Sequence, residues 1–139
     1  EFVGLITERL IDYIRIHLSQ IGGLTPARKV AALAEWFNVR TAWHGPGDVS
    51  PVGHCANIAL DLACYNFGIQ EQTMFGKETQ EVFPGCPRIQ DGYFWANEAP
   101  GWGIDVDEKL AAKFPPASDT PFDYNWGSTR KRDGTVIRP

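Results

Sequence analysis

Apolar positions in the first half of the chain follow two periods in alternation. Ile6 to Ile11 fits a short helix, and Tyr13-Ile14-Arg15-Ile16-His17 then alternates as a strand. Gly22-Gly23 turns the chain. Thr25-Pro26 reads as a helix start, because Thr can accept from free backbone N–H groups and Pro suits the first helical position. Ala27, Val30, Ala31, Ala34 and Phe37 follow at helical spacing as one apolar stripe. Val39 to Trp43 predicts a second strand, and His44-Gly45-Pro46-Gly47-Asp48 a loop. Ser50-Pro51 repeats the cap-and-proline start, opening a helix over Val52 to Cys64, and Phe67 to Gln70 predicts a third strand ending at Glu71.

The strand starts lie about 26–28 residues apart, the period of a βα unit. Residues 1–71 therefore read as regular α/β. Residues 72–139 do not: seven of the ten prolines lie there, which predicts loops with short elements. Parallel strands, each followed by a helix, belong to a doubly wound sheet or a TIM barrel. No GxGxxG lies between a strand and its helix, so a dinucleotide fold has no support.

Composition adds limits. The chain has 139 residues, 43% hydrophobic and 22% charged, with five Trp, eight Phe and four Tyr, which argues against disorder. A net charge of −4 argues against nucleic-acid binding through phosphates. No apolar run approaches the roughly 18 residues of a membrane span, and no basic segment followed by an apolar stretch opens the chain, so a cytoplasmic protein without membrane or nucleic-acid partners is expected. Three Cys without a CxxC signal neither a disulfide framework nor a zinc site. At first the length suggests one domain. Yet three parallel strands cannot close a barrel, which needs eight strands and about 250 residues, and their open edges would be a liability. The expectation is a C-terminal piece of a larger barrel protein.

In such a barrel, chemistry lies at the C-terminal ends of the strands. Arg15 and His17 share one strand face, opposite Ile14 and Ile16. A guanidinium pointing inward needs an anion, either a substrate carboxylate or an internal acid. His44 ends the second strand with Asp48 four residues on, open to an acid/base or substrate role, a metal pair or a structural loop histidine. Glu71 ends the third, able to orient a base or accept from substrate hydroxyls, or simply solvated. His54, Cys55, Asp61 and Cys64 on the second helix read as packing and surface residues. The basic tail at 128–134 reads as a solvated turn.

These blocks resemble a known family. Gly22-Gly23 before a helix, His-Gly-Pro-Gly-Asp-Val-Ser-Pro-Val-Gly-His at 44–54 and Asn-Phe-Gly-Ile-Gln-Glu at 66–71 resemble the enolase superfamily, and within its mandelate racemase-like enzymes the mannonate dehydratase group. Segments 82–87, 100–108 and 133–139 fit the same group. The resemblance implies a modified (β/α)7β TIM barrel closed by an N-terminal capping domain. This chain would supply strands 6–8 over 1–71, with a final helix and loop-rich segment over 72–139 packing back on barrel and cap. It implies Mg²⁺-assisted removal of the proton α to a sugar-acid carboxylate, then loss of the β-hydroxyl as water, with D-mannonate or D-gluconate giving a 2-keto-3-deoxy acid. It also implies a homo-oligomer.

By the same resemblance, Arg15 contacts substrate, His44 is an orienting or acid group at the mouth, Asp48 binds sugar hydroxyls and Glu71 lies beside the substrate. Trp126 would close the pocket. His17 stands where racemase relatives have an aspartate, which disfavours a His–Asp racemase dyad and favours dehydration. The family's Mg²⁺ ligands end strands three to five, and its Tyr/Arg base also lies elsewhere, so none of these is expected in this chain. Two alternatives remain: a non-catalytic or weakly active sugar-acid binding or regulatory member of the superfamily, and a stand-alone α/β domain acting by protein contact.

Overall fold

The computed structural model describes residues 2–115. Its order is α1 (Phe2–Thr7), β1 (Tyr13–Ile14), α2 (Leu24–Trp36), β2 (Arg40–Thr41), α3 (Pro51–Ala63), α4 (Lys77–Val82), β3 (Ile89–Gln90), β4 (Tyr93–Phe94) and α5 (Glu108–Ala111). β1 pairs β2 in parallel, and Thr41 bridges in parallel to Phe67. Three parallel strand segments thus lie side by side in sequence order. α2 and α3 occupy the intervals between them and share one core, built from Leu18, Ala27, Ala31, Trp43, Ala56 and Leu60. This is an arc of βα units.

Regular pairing is shorter than the alternation predicts. The expected strands at 13–17 and 39–43 are two residues each, and the third is a single bridge. The ladder nonetheless continues past β1 and β2. Asp12, Ile14 and Ile16 carbonyls accept from the N–H groups of Arg40, Ala42 and His44. The third segment departs because the Gln70 side chain, not a backbone N–H, donates to Trp43 O. His17 lies beyond β1, in the turn toward Gly22-Gly23.

The helix starts split. Ser50 caps α3 as predicted, its Oγ accepting from Gly53 N at 3.3 Å, with Pro51 first in the helix. Thr25 does not cap α2. That helix begins at Leu24 with Gly23 as its N-cap, at φ 94° and without a side-chain cap bond. Glycine takes this conformation without a Cβ penalty, and Pro26 falls within the first turn, where its missing donor has no intrahelical partner to lose. The first helix also lies earlier than expected, ending at Thr7, with Arg9 at φ 54° leading into the loop.

Trp43 is fully buried between α2 and α3. A second cluster, Ile6, Ile14, Val30, Ala34 and Val39, fixes α1 and β1 against the other flank of α2. Asn66 joins the layers, its Nδ2 donating to Val39 O at 2.9 Å and Ala31 O at 3.1 Å. Beyond Glu71 the chain is mostly loop. Asp91 (φ 52°) and Gly92 (φ 79°) make the two-residue turn of the β3–β4 hairpin, and Asp107 caps α5. No helix among the described residues is long and apolar enough to cross a membrane.

Two expectations follow. Trp43→Ala should cost about 3–5 kcal/mol in denaturant unfolding, through lost burial and the cavity left behind. Asp61 on α3 is largely withdrawn from water, its Oδ1 without a hydrogen-bond partner among the described residues, and burial pushes its carboxyl up to about 8. The folded state then holds a proton that the unfolded chain releases near 3.8, so stability falls as pH rises between those values. Asp61→Asn should flatten that slope, raising Tm at pH 8 and leaving it unchanged at pH 3, as read by thermal unfolding at both.

Candidate active site at the strand ends

The three strand ends converge on one oxygen. Glu71 Oε2 accepts from Arg15 Nη2 at 2.6 Å and from the Gly45 backbone N–H at 2.9 Å. His44 Nδ1 lies 2.8 Å from the same oxygen, a close approach and not an aligned hydrogen bond. Arg15, His44 and Glu71, each predicted from a different strand, are therefore brought together. Arg15 is not buried: half its side chain is exposed (51%), because this face of the arc is open. The internal-acid alternative for Arg15 is realised by Glu71, which engages one nitrogen of the guanidinium fork.

Partial burial works to raise the Glu71 carboxyl, but the Gly45 N–H, Arg15 and His44 outweigh it and hold it below the usual carboxylate range. His17 stands beside this group, its ring centroid 5.5 Å from that of His44 and its Nδ1 2.9 Å from Ser19 Oγ. Burial, and then the neighbouring His44, lower its pKa, while Asp48 pulls the other way. Asp48 itself is exposed and makes no side-chain hydrogen bond among the described residues. Trp126 lies outside the described residues.

Gly45 makes the convergence possible. A Cβ there would run into the Glu71 carbonyl and press on the Gln70 amide, so the His44 loop can cross the Glu71 segment this closely only with glycine. Sequence reasoning saw Gly45 only as part of a turn. It also read His54 as a packing or surface residue and did not weigh Asn57; α3 buries both completely behind the mouth. Their signal was available: polar residues at 54, 57 and 61 share one helical face of an otherwise mostly apolar helix.

A match to the enolase C-terminal domain-like family covers residues 1–110. The chain belongs to that family. It is 55% identical to the D-galactonate dehydratase family member RspA of Pantoea ananatis, over 100% of this chain and 33% of the relative. It is 56% identical to a D-galactonate dehydratase family member of Salmonella enteritidis, over 100% of this chain and 32% of that protein. Among solved structures it matches an enolase from Pantoea ananatis with bound D-gluconate and Mg, at TM-score 0.85 and 55% identity over 100% of this chain and 33% of that one. A mandelate racemase/muconate lactonizing enzyme from Sulfitobacter sp. matches at TM-score 0.74 and 27% identity, over 85% of this chain and 29% of its own. The chain spans about a third of the length of the curated relatives it matches. The arc of βα units is thus part of the enolase C-terminal domain-like, TIM-barrel-type fold.

The described residues of this enolase-type chain do not fit a magnesium site. No group of three His, Cys, Asp or Glu among them is placed to hold a metal. Glu71 Oε2, the carboxylate oxygen at the mouth, already faces Arg15, Gly45 N–H and His44.

Gly45→Ala should push the loop off Glu71 and free its carboxyl. The Glu71 titration, followed by carbonyl NMR, should rise toward the ordinary carboxylate value. An unchanged titration would show that the loop crossing does not hold the carboxylate.

Proposed function

We propose that this chain contributes barrel strands 6–8 and their mouth residues to an acid-sugar dehydratase. The reaction converts D-mannonate or D-gluconate to 2-keto-3-deoxy-gluconate: the proton α to the carboxylate is removed, and the β-hydroxyl leaves as water. The observation that carries this reading is the convergence of Arg15, His44 and Glu71 from three successive parallel strand ends. The dehydratase-family relatives and the D-gluconate and Mg in the Pantoea structure support the choice of reaction.

Each residue has work suited to its geometry. Glu71, kept ionised by its donors, orients His44 and neutralises part of Arg15. The free donors of Arg15 face the open side and suit the carboxylate of a sugar acid. His44 presents the ring nitrogen away from Glu71 as an orienting or acid group for the leaving hydroxyl. Asp48, exposed on its loop, accepts from sugar hydroxyls. Magnesium, where bound, stabilises negative charge developing on the substrate carboxylate, and its ligands and the catalytic base come from outside this chain. The remaining barrel strands, a capping domain and further copies in a homo-oligomer complete a cytoplasmic enzyme.

The test is turnover of an acid-sugar panel by the complete protein with Mg²⁺. D-mannonate or D-gluconate should give the 2-keto-3-deoxy product, and His44→Ala should lower kcat by about 100-fold or more. The isolated 139-residue chain should give none. Calorimetric binding of sugar acids without product would favour a non-catalytic binding member of the superfamily instead.

A further inference from the structure

α3 carries a histidine that the proposed reaction does not use. His54 is fully buried, 0% exposed. Its Nε2 lies 3.2 Å from Pro46 O, and its Nδ1 lies 2.6 Å from Gln72 Oε1. Gln72 Nε2 donates to Thr73 O at 2.6 Å, which fixes the amide with its oxygen toward the ring. Two oxygen acceptors therefore face the two ring nitrogens. A proton on either nitrogen closes one bond, and protons on both close both. The edges are packed as well, Phe75 at 5.0 Å and Phe94 at 6.3 Å between centroids, both near-perpendicular.

The position of these partners matters more than their number. Pro46 directly follows Gly45, whose N–H donates to Glu71, and Gln72 directly follows Glu71. His54 thus bridges the two segments one residue beyond the point where they cross. Asn57, three residues later and 1% exposed, donates from the same helix face to His44 O at 3.3 Å. Both residues project from a helix that is capped by Ser50 and packed on Trp43. A polar ring withdrawn this far from water is costly unless its partners are kept, so its bonds are held in place with it.

We infer that His54 is a positioning residue: from behind the mouth it ties the loop bearing His44 and Asp48 to the segment bearing Glu71, and so sets the His44–Glu71 contact. Its kinetic consequence rests on the dehydratase reading above; its structural consequence does not.

The test uses the complete barrel protein containing this chain. His54→Phe keeps an aromatic ring against Phe75 and Phe94 and removes both polar ties. Gln72→Met removes one tie from the other side and serves if the first variant folds poorly. Each should lower kcat about 10–100-fold with KM within about 3-fold, as expected when reacting groups shift by an ångström. The double variant should be no slower than the worse single one, since both cut the same link. His54→Gln, which retains a donor, should recover part of the rate. In crystal structures of the variants the 2.8 Å separation of His44 Nδ1 and Glu71 Oε2 should open. An unmoved contact in both single variants overturns the inference, as does an unchanged kcat in both against an active wild type. A wild type that turns over nothing on the panel overturns the dehydratase reading alone; the crystallographic separation then decides the role of His54.

Discussion

A single carboxylate oxygen organises the mouth of this molecule. Glu71 Oε2 takes a guanidinium from the first strand, a backbone N–H from the loop after the second, and the ring of His44 at its side. Each of these groups is charged or strongly polar, and with Glu71 itself they come from three successive βα units, His44 and Gly45 sharing the second. Bringing them together carries an entropic cost that no one contact offsets alone. The contacts persist because the carboxylate is satisfied from several sides, which also keeps it ionised. Exposed ion pairs in isolation contribute little. This one is a point of register between three segments more than a source of stability.

That register depends on the scaffold beneath it. Trp43 and His44 are neighbours on the extended continuation of β2 and point to opposite faces. Trp43 fills the core shared by α2 and α3, which leaves His44 facing the open side. Asn66 fixes where the third segment enters by donating to both α2 and the start of β2. The ladder then loosens toward its C-terminal end, where the Gln70 side chain replaces a backbone donor. This loosening frees Glu71 to turn toward Arg15 and Gly45. α3 supplies the counterweight, since its buried polar face reaches the carbonyls of His44 and Pro46.

The electrostatics divide along the same line. On the open face, acid and base are matched, and Glu71 is held below its ordinary range. On the helix side, Asp61 is withdrawn from water without a cationic partner among the described residues, and its carboxyl is raised. Asp61 and the orphaned Gln70 Oε1 border one cavity with Phe67, Ile69 and Tyr93. A carboxylate can thus be charged at the mouth and another, ten residues earlier, protonated, according to whether donors or burial dominate its surroundings.

Much of this could be read in the sequence, because it depends on local periods. The two-residue alternation placed Arg15 opposite Ile14, the helical stripes placed α2 and α3, and Ser50-Pro51 announced the start of α3. The βα spacing and the blocks at 44–54 and 66–71 pointed to the barrel family and to Arg15, His44 and Glu71. Only the tertiary structure decided which atoms meet. That Gly45 must lack a Cβ and that His54 reaches Gln72 depend on segments separated in sequence. Local propensity has no term for such crossings. They are set by how closely a neighbouring backbone approaches and by where a buried polar group can find its partners.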